Sequence, residues 1–466
     1  MSNTQPPLLE GATPRLAEFA AALEFDELPG GVVDRLKTSV LDSIGCCLFG
    51  ATLPWTRKVR EMVEEEACAP VASLFGSGSK TSAAAAVLVN ATAGHAFELD
   101  DIHKESILHP GSIALPVAVA LAERTGRRHG RDLITAMAAG YEIGTRVGNA
   151  ATMSLFYRGF HPQGTSGVFV AAATGGWALG LDAERMTHAL GIAGSQASGL
   201  MAAQEGAMVK RLHSGRAAQS GIYAALLAER GFTGILDVLE APYGGYLSTY
   251  SDKPNPSRLT DGLGEVWETA TVGYKPHASV TSIHAALDAL IQIMREHDLA
   301  AGDIASVDVG VSNMTYVHCA WPYRAQGVTA AQMNLFYGLA VVAFDGVAFV
   351  EQYRQERLAD PELIDFISRI RARVDDEIDA MGPAFRHAAR VSVTTRKGQV
   401  CKAEILHRRG SPENPLDASE VETKFRNVVR SCLSESAIES VIDYARNLDQ
   451  LDDIQPLLDI LAAPAS

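Results

Sequence analysis

The densest run of titratable side chains lies between His95 and Pro110 (HAFELDDIHKESILHP), where Glu98, Asp100, Asp101, His103 and His109 crowd together. A carboxylate beside an imidazole is what proton transfer near neutral pH requires, because each group tunes the other's pKa. At helical spacing His95 and Glu98 share one face, and so do Asp100 and His103. Glu98, His103 and His109 also offer metal-ligand atom types, but no HExxH or comparable spacing accompanies them. The plain alternative is a solvated helix end with an incidental charge run.

Three further segments carry chemistry. His161 sits in a Gly- and Pro-bounded loop (Gly159 to Thr165) ahead of an apolar helix, a placement that projects an imidazole into a cleft or leaves it exposed. Lys210, Arg211, His213 and Arg216 open a helix flanked by apolar residues, and clustered donors at a helix start suit carboxylate binding. Tyr274 to Ser279 (YKPHAS) places His277 ahead of the helix bearing His284, where the character of the chain changes; junctions between domains favour ligand sites. By contrast, Gly76 to Thr81 (GSGSKT) fails as a phosphate loop, because Ser79 stands where glycine must precede the lysine. It reads as a polar turn, with Thr81 or Ser82 capping the next helix.

Composition narrows the partners. The chain has 466 residues, a formal charge of −15 and 20% charged residues, an ordinary globular profile. A net negative surface repels phosphate backbones, so no nucleic-acid partner is expected. An anionic substrate would need a local cluster of cations working against that field. The six cysteines form no CxxC pair, which points to free thiols in a reducing, cytoplasmic setting. Met1 to Pro14 reads as a loose polar tail without the features of a signal peptide. Gly164 to Leu181 is uncharged but dominated by small residues, so it predicts a buried helix and not a membrane span.

Apolar periodicity predicts helices over Val32–Leu48, Thr81–Leu99, Ile113–Glu123, Asp132–Val147, Asp182–Gln204 and Val209–Arg230. After about residue 255 the texture changes. A helix over Ser279–His297 precedes a period-two run at Ser306–Ser312, and a second such run, Val391–Leu406, folds about Lys397-Gly398 as a hairpin. Helices are predicted at Ala330–Ala343 and Pro361–Ala372, and again from Ser419. The fold class is therefore mainly α, with a large all-helical domain over 1–265 and 410–466 and a smaller α/β domain over 266–409.

Ala84 to Pro116, Gly159 to Gly180, Leu190 to Ala218 and Tyr274 to Leu290 resemble, in that order, the 2-methylcitrate dehydratase / cis-aconitate decarboxylase (MmgE/PrpD) family. The likeness extends to Leu41-Asp42-Ser43-Ile44-Gly45 and to Ala331 through Gly346. The resemblance implies a lyase that acts on a small di- or tricarboxylate and needs neither metal nor organic cofactor. It also implies a homodimer in which the α/β domain serves as a lid.

Carried over by position, the family's acidic segment matches Glu98, Asp100 and Asp101, its His-Pro matches His109-Pro110, and its loop histidine matches His161. Its lysine–histidine segment matches Lys210 to His213. The expected catalytic residues are thus Glu98, Asp101, His103, His109 and His161; the expected substrate-binding residues are Lys210, Arg211, His213 and His277. Glu98 replaces the family's usual aspartate, and Val280 falls where many members have Cys or His. Glu-Leu-Asp-Asp-x-His with Met-Val-Lys-Arg is nearest to decarboxylase-like members. Dehydration of a citrate-type substrate or epimerisation of a substrate such as iminodisuccinate uses the same residue types. A helical scaffold protein would fit the helices but not the gathered histidines.

Overall fold

Ser82 starts the helix that delivers the chain to the acidic segment. Its hydroxyl accepts the Ala85 N–H, and the alanine-rich run that follows is helical over Ala83–Gly94 and buried throughout. The computed structural model describes residues 9–464, and the chain it shows is mainly α-helical. Helices Gly30–Ala51, Gly111–Thr125, Gly130–Tyr157, Gly167–Ala178, Ala183–Gly194 and Val209–Glu229 pack with it around one large apolar core. Close approach of backbones explains the small residues. A Cβ at Gly140 or Gly144 would collide with Thr174 or Val170 of the Gly167–Ala178 helix. That helix is buried through Gly176, as its uncharged composition predicts.

The period-two segments form a four-stranded sheet. Ile304–Val311 pairs in parallel with Ile370–Val374 on one side and antiparallel with Ala389–Thr395 on the other. Ala389–Thr395 then pairs with Val400–Ile405 through a turn at Lys397-Gly398, where Gly398 has φ +84°. Strict alternation of buried and half-buried residues along Ala389–Thr395 matches a one-sided sheet. Helix Thr281–Glu296 covers that sheet, and Leu335–Asp345 packs on the helix.

Four predicted helices end differently. Thr81–Leu99 stops at Gly94, and Asp182–Gln204 stops at Gly194, ahead of Gly199 at φ +140°. Ala330–Ala343 is two helices, Val328–Gln332 and Leu335–Asp345, restarted by Asn334, whose side chain accepts the Tyr337 N–H. Pro361–Ala372 ends at Ile367, after which Ile370-Arg371-Ala372-Arg373-Val374 alternates and joins the sheet edge.

The C-terminal helices Ala418–Val429 and Glu435–Arg446 return to the helical body and pack on Gly30–Ala51. There the buried Lys424 ammonium donates to Asp42 Oδ1 at 2.6 Å and to the Leu99 carbonyl at 2.5 Å. The acidic segment is thereby tied to the far end of the chain. Of the predicted polar tail, residues 1–8 lie outside the described residues, and Ala12–Ala22 is helical, because Thr13 bonds the buried Glu240 through its N–H and hydroxyl. The cysteines are all free. Among the described residues no single helix is long and apolar enough to cross a membrane.

Candidate active site

The acidic segment is not helical. Its helix ends at Gly94, His95 is the cap, and Glu98 takes a left-handed backbone at φ +54°. A non-glycine residue held there costs about 1–3 kcal/mol and persists only where its surroundings enforce it. The helical pairings of His95 with Glu98 and of Asp100 with His103 therefore do not form. Two other constellations replace them.

In the first, Glu98 receives three cations. The Lys210 ammonium donates to Oε1, Arg211 Nη1 donates to the same oxygen at 2.7 Å, and Lys275 Nζ donates to Oε2 at 3.1 Å. All four side chains are buried. Burial alone would raise the Glu98 pKa, but Lys210, Lys275 and Arg211 outweigh it and hold the carboxyl well below its ordinary value. Burial, with Arg211 and Lys275 adding to it and Glu98 opposing, brings Lys210 down to about 8. One carboxylate against three cations leaves a positive surplus, the local cluster that an acidic protein needs to attract an anionic substrate.

In the second, Asp100 lies between two imidazoles. His95 Nδ1 is 2.7 Å from Oδ2, and His109 Nδ1 is 3.3 Å from Oδ1. His109 and His95 together overcome the effect of burial and keep Asp100 well below the usual carboxylate range. His95 is lowered to about 3 by burial, against the pull of Asp100. It is therefore neutral and donates its Nδ1 proton. Gln163 clamps the His109 backbone, accepting its N–H at 2.9 Å and donating to its carbonyl at 3.1 Å. An imidazole oriented through Nδ1 by a carboxylate presents Nε2 for proton transfer. His95, Asp100 and His109 also place three potential metal-ligand atoms within 4.8 Å of one another.

Both constellations face one cleft, about 720 Å³ when counted out to where it opens to solvent. Glu98, His109, His161, Lys210 and Lys275 line it. His161 stands at the start of the short helix Pro162–Thr165, with its N–H donated to Gly199 O at 3.0 Å. The sheet-bearing part of the chain supplies the facing wall, including Ser282, Met333, Arg386 and His387.

Of the nine residues expected in the site, Glu98, His109, His161 and Lys210 line the cavity. Arg211 lies behind Glu98, with Nη2 held by Gln332 at 3.0 Å. His213 backs His161, Nδ1 to Nδ1 at 2.8 Å. Asp101 instead accepts the Gly111 N–H and the Tyr141 hydroxyl, capping the Gly111–Thr125 helix. His103 contacts Ser106 and Glu268 away from the cavity, and His277 bonds Asp288 at 2.9 Å. The expectation missed Asp100 as the orienting carboxylate, Gln163 as the clamp and Lys275 as a cavity cation. Lys275 is two residues from the histidine chosen in its place, and its setting between Tyr274 and Pro276 was the available signal.

The chain matches the MmgE/PrpD N-terminal domain over residues 14–258 and the MmgE/PrpD C-terminal domain over 277–450. It is 32% identical to a cis-aconitate decarboxylase of Aspergillus terreus, covering 97% of this chain and 96% of that protein. It is 29% identical to the cis-aconitate decarboxylase-like protein oryM of Aspergillus oryzae, covering 97% of each. The human cis-aconitate decarboxylase is 27% identical over 98% of this chain and 96% of its own length.

Proposed function

Since the chain belongs to the MmgE/PrpD family, a family of lyases, we propose that it decarboxylates a small aconitate-type polycarboxylate without a metal or organic cofactor. The observation that carries this reading is the buried surplus of cations around Glu98, set in one cavity with the Asp100-oriented His109 and with His161.

Lys210 and Lys275 hold a substrate carboxylate and stabilise negative charge as it develops beside that group. The bond from the allylic carbon to the departing carboxylate breaks, carbon dioxide leaves, and the electron pair remains as an allylic carbanion. A protonated His109, its imidazolium supported by Asp100, delivers a proton to that carbon and recovers one from solvent. Each turnover consumes one proton and changes no oxidation state beyond the loss of carbon dioxide. The sheet-bearing wall acts as a lid that excludes water from the carbanion. The protein works as a cytoplasmic homodimer, for which light scattering in solution is the check.

The test is incubation of the chelated protein with cis-aconitate in deuterated water, followed by proton NMR. The expected result is loss of carbon dioxide with one solvent deuteron in the product. Hydration to citrate without loss of carbon dioxide, or activity restored only by adding a divalent ion, overturns the reading.

A further inference from the structure

One side chain of the sheet-bearing part reaches across to the Glu98 cluster without lining the cavity. Gln332 ends the short helix Val328–Gln332 and is fully buried. Its Nε2 donates to the Phe97 carbonyl at 2.8 Å and to the Ala278 carbonyl at 3.0 Å, and its Oε1 accepts Arg211 Nη2 at 3.0 Å. Its own carbonyl accepts the Val280 N–H at 3.0 Å. Two carbonyls and one guanidinium admit only this orientation of the amide. Its partners lie on three separate segments of the chain.

Each bond acts on a group that the cluster depends on. The Phe97 carbonyl belongs to the peptide that precedes Glu98, so holding it fixes the rotation about the Glu98 N–Cα bond, the left-handed φ of +54°. A residue in that conformation persists only where its surroundings enforce it. The Ala278 carbonyl follows Lys275 by way of Pro276 and His277, and the proline ring restrains both its own φ and the residue before it. Gln332 therefore sets where Lys275 Nζ meets Glu98 Oε2, and through Arg211 it sets the guanidinium that meets Oε1. Arg211 Nη2 has one further contact on the same short helix, Thr329 Oγ1 at 3.4 Å, which is long for a hydrogen bond.

We propose that Gln332 is a positioning residue for the reaction: its one buried amide holds the turn at Glu98, the segment carrying Lys275 and the Arg211 guanidinium in register, so that the substrate-binding cations assemble only when the sheet-bearing part is seated on the helical body. The inference rests on the lyase reading above, because it concerns the same cations, yet its test needs no turnover. The consequence falls on Lys210. Burial lowers its pKa to about 8, Glu98 is the main group opposing that, and Lys275 contributes less in the other direction. A Glu98 turn released from Gln332 backs away from Lys210, so the pKa of that ammonium falls. His95, His161 and His213, which also face Lys210, are neutral because burial lowers all three.

Trace acetylation of the full chain across the neutral and alkaline range, read at Lys210 by peptide mass spectrometry, measures this directly. The wild-type midpoint should lie at about 8. Gln332→Met keeps the size of the side chain and removes its bonds to Phe97, Ala278 and Arg211. It should lower the midpoint by at least about half a pH unit, because an opposite charge at close range ordinarily moves a pKa by about 1–3. Gln332→Asn, too short to bridge the two carbonyls, should shift the midpoint the same way and serves if Gln332→Met does not fold. Thr329→Val removes the long contact to Arg211 and nothing from Phe97 or Ala278, so it should leave the midpoint in place. An unchanged Lys210 midpoint in the folded Gln332 variants overturns the proposal whatever their melting temperature, and so does an equal shift in Thr329→Val. Shifted midpoints in the Gln332 variants, with a wild type that neither binds tricarballylate, an unreactive tricarboxylate, nor turns over cis-aconitate, support the positioning role and sink only the lyase reading.

Discussion

His161 and His213 meet Nδ1 to Nδ1 at 2.8 Å, so one ring donates a proton that the other accepts. Burial lowers both pKa values, and Lys210 adds to each shift, so both rings are neutral at neutral pH. With Nδ1 engaged, Nε2 is the nitrogen of His161 left for a ligand, and the tautomer of His213 decides whether it donates or accepts there. His213 is thus a positioning residue behind the cavity. His213→Phe should lower turnover roughly three- to tenfold, the worth of one net hydrogen bond of ~0.5–1.5 kcal/mol, and should reshape the pH–rate profile. His213→Asn, which keeps a donor and an acceptor, should recover most of the profile. Unchanged profiles in both variants would reduce His213 to packing.

His109 is the group expected to move the proton. Gln at this position keeps hydrogen-bonding reach and removes titration, so His109→Gln should cost about 10²–10⁴-fold in turnover. Asp100→Asn should also depress turnover, because it removes the charge that supports an imidazolium. Circular dichroism and binding of an inert tricarboxylate separate this from misfolding. Retention of more than about a tenth of wild-type turnover by His109→Gln would shift the role to His161.

Lys210 predicts an alkaline limb. The ammonium form binds the anionic substrate, and its pKa in the free protein is lowered to about 8. Affinity should therefore be present below pH 8 and decline as pH rises through it, a limb that kcat/KM reports because it follows the free enzyme. A guanidinium stays charged over the accessible range. Lys210→Arg should consequently lose the limb near pH 8 even if its activity is lower overall. Persistence of the same limb in Lys210→Arg would assign it to another group.

Glu98 holds three buried cations apart. Its pKa is depressed in the folded protein, so its stabilisation is present above the ordinary glutamate value and disappears as pH falls through the depressed one. Glu98→Gln leaves Lys210, Arg211 and Lys275 uncompensated, and removal of one partner from a buried ion cluster typically costs about 3–5 kcal/mol. The variant should melt well below wild type at neutral pH, and tricarballylate should restore more of its melting temperature than it adds to the wild type. An unshifted melting temperature would show that the cations relax into solvent.

Much of this was legible in local pattern. Helical periodicity identified the core of Gly30–Ala51, Gly111–Thr125, Val209–Glu229 and Thr281–Glu296, and period-two alternation identified both arms of the hairpin at Lys397-Gly398. Small residues marked Gly167–Ala178 as a buried helix, since the reason for them is close contact with Gly140 and Gly144. Where the reading slipped, non-local geometry was responsible. Ile370–Val374 is short and joins Ile304–Val311 across more than fifty intervening residues, a pairing that no local window contains.

The site divides along the same line. Residue type and spacing marked Glu98, His109, His161 and Lys210 as candidates beside plainer structural roles, and the family resemblance assigned them to a site. Only the tertiary structure decided which atoms meet. The left-handed turn at Glu98 breaks the helical register, so Asp100 and not Asp101 reaches His109, while Asp101 turns to cap a helix. Lys275 and Arg386 reach the cavity from segments distant in sequence, and their partners are set by packing between the helical body and the sheet-bearing wall. Spacing along one chain encodes neighbours within a few turns, whereas an anion site is built where separate elements bury their charges together.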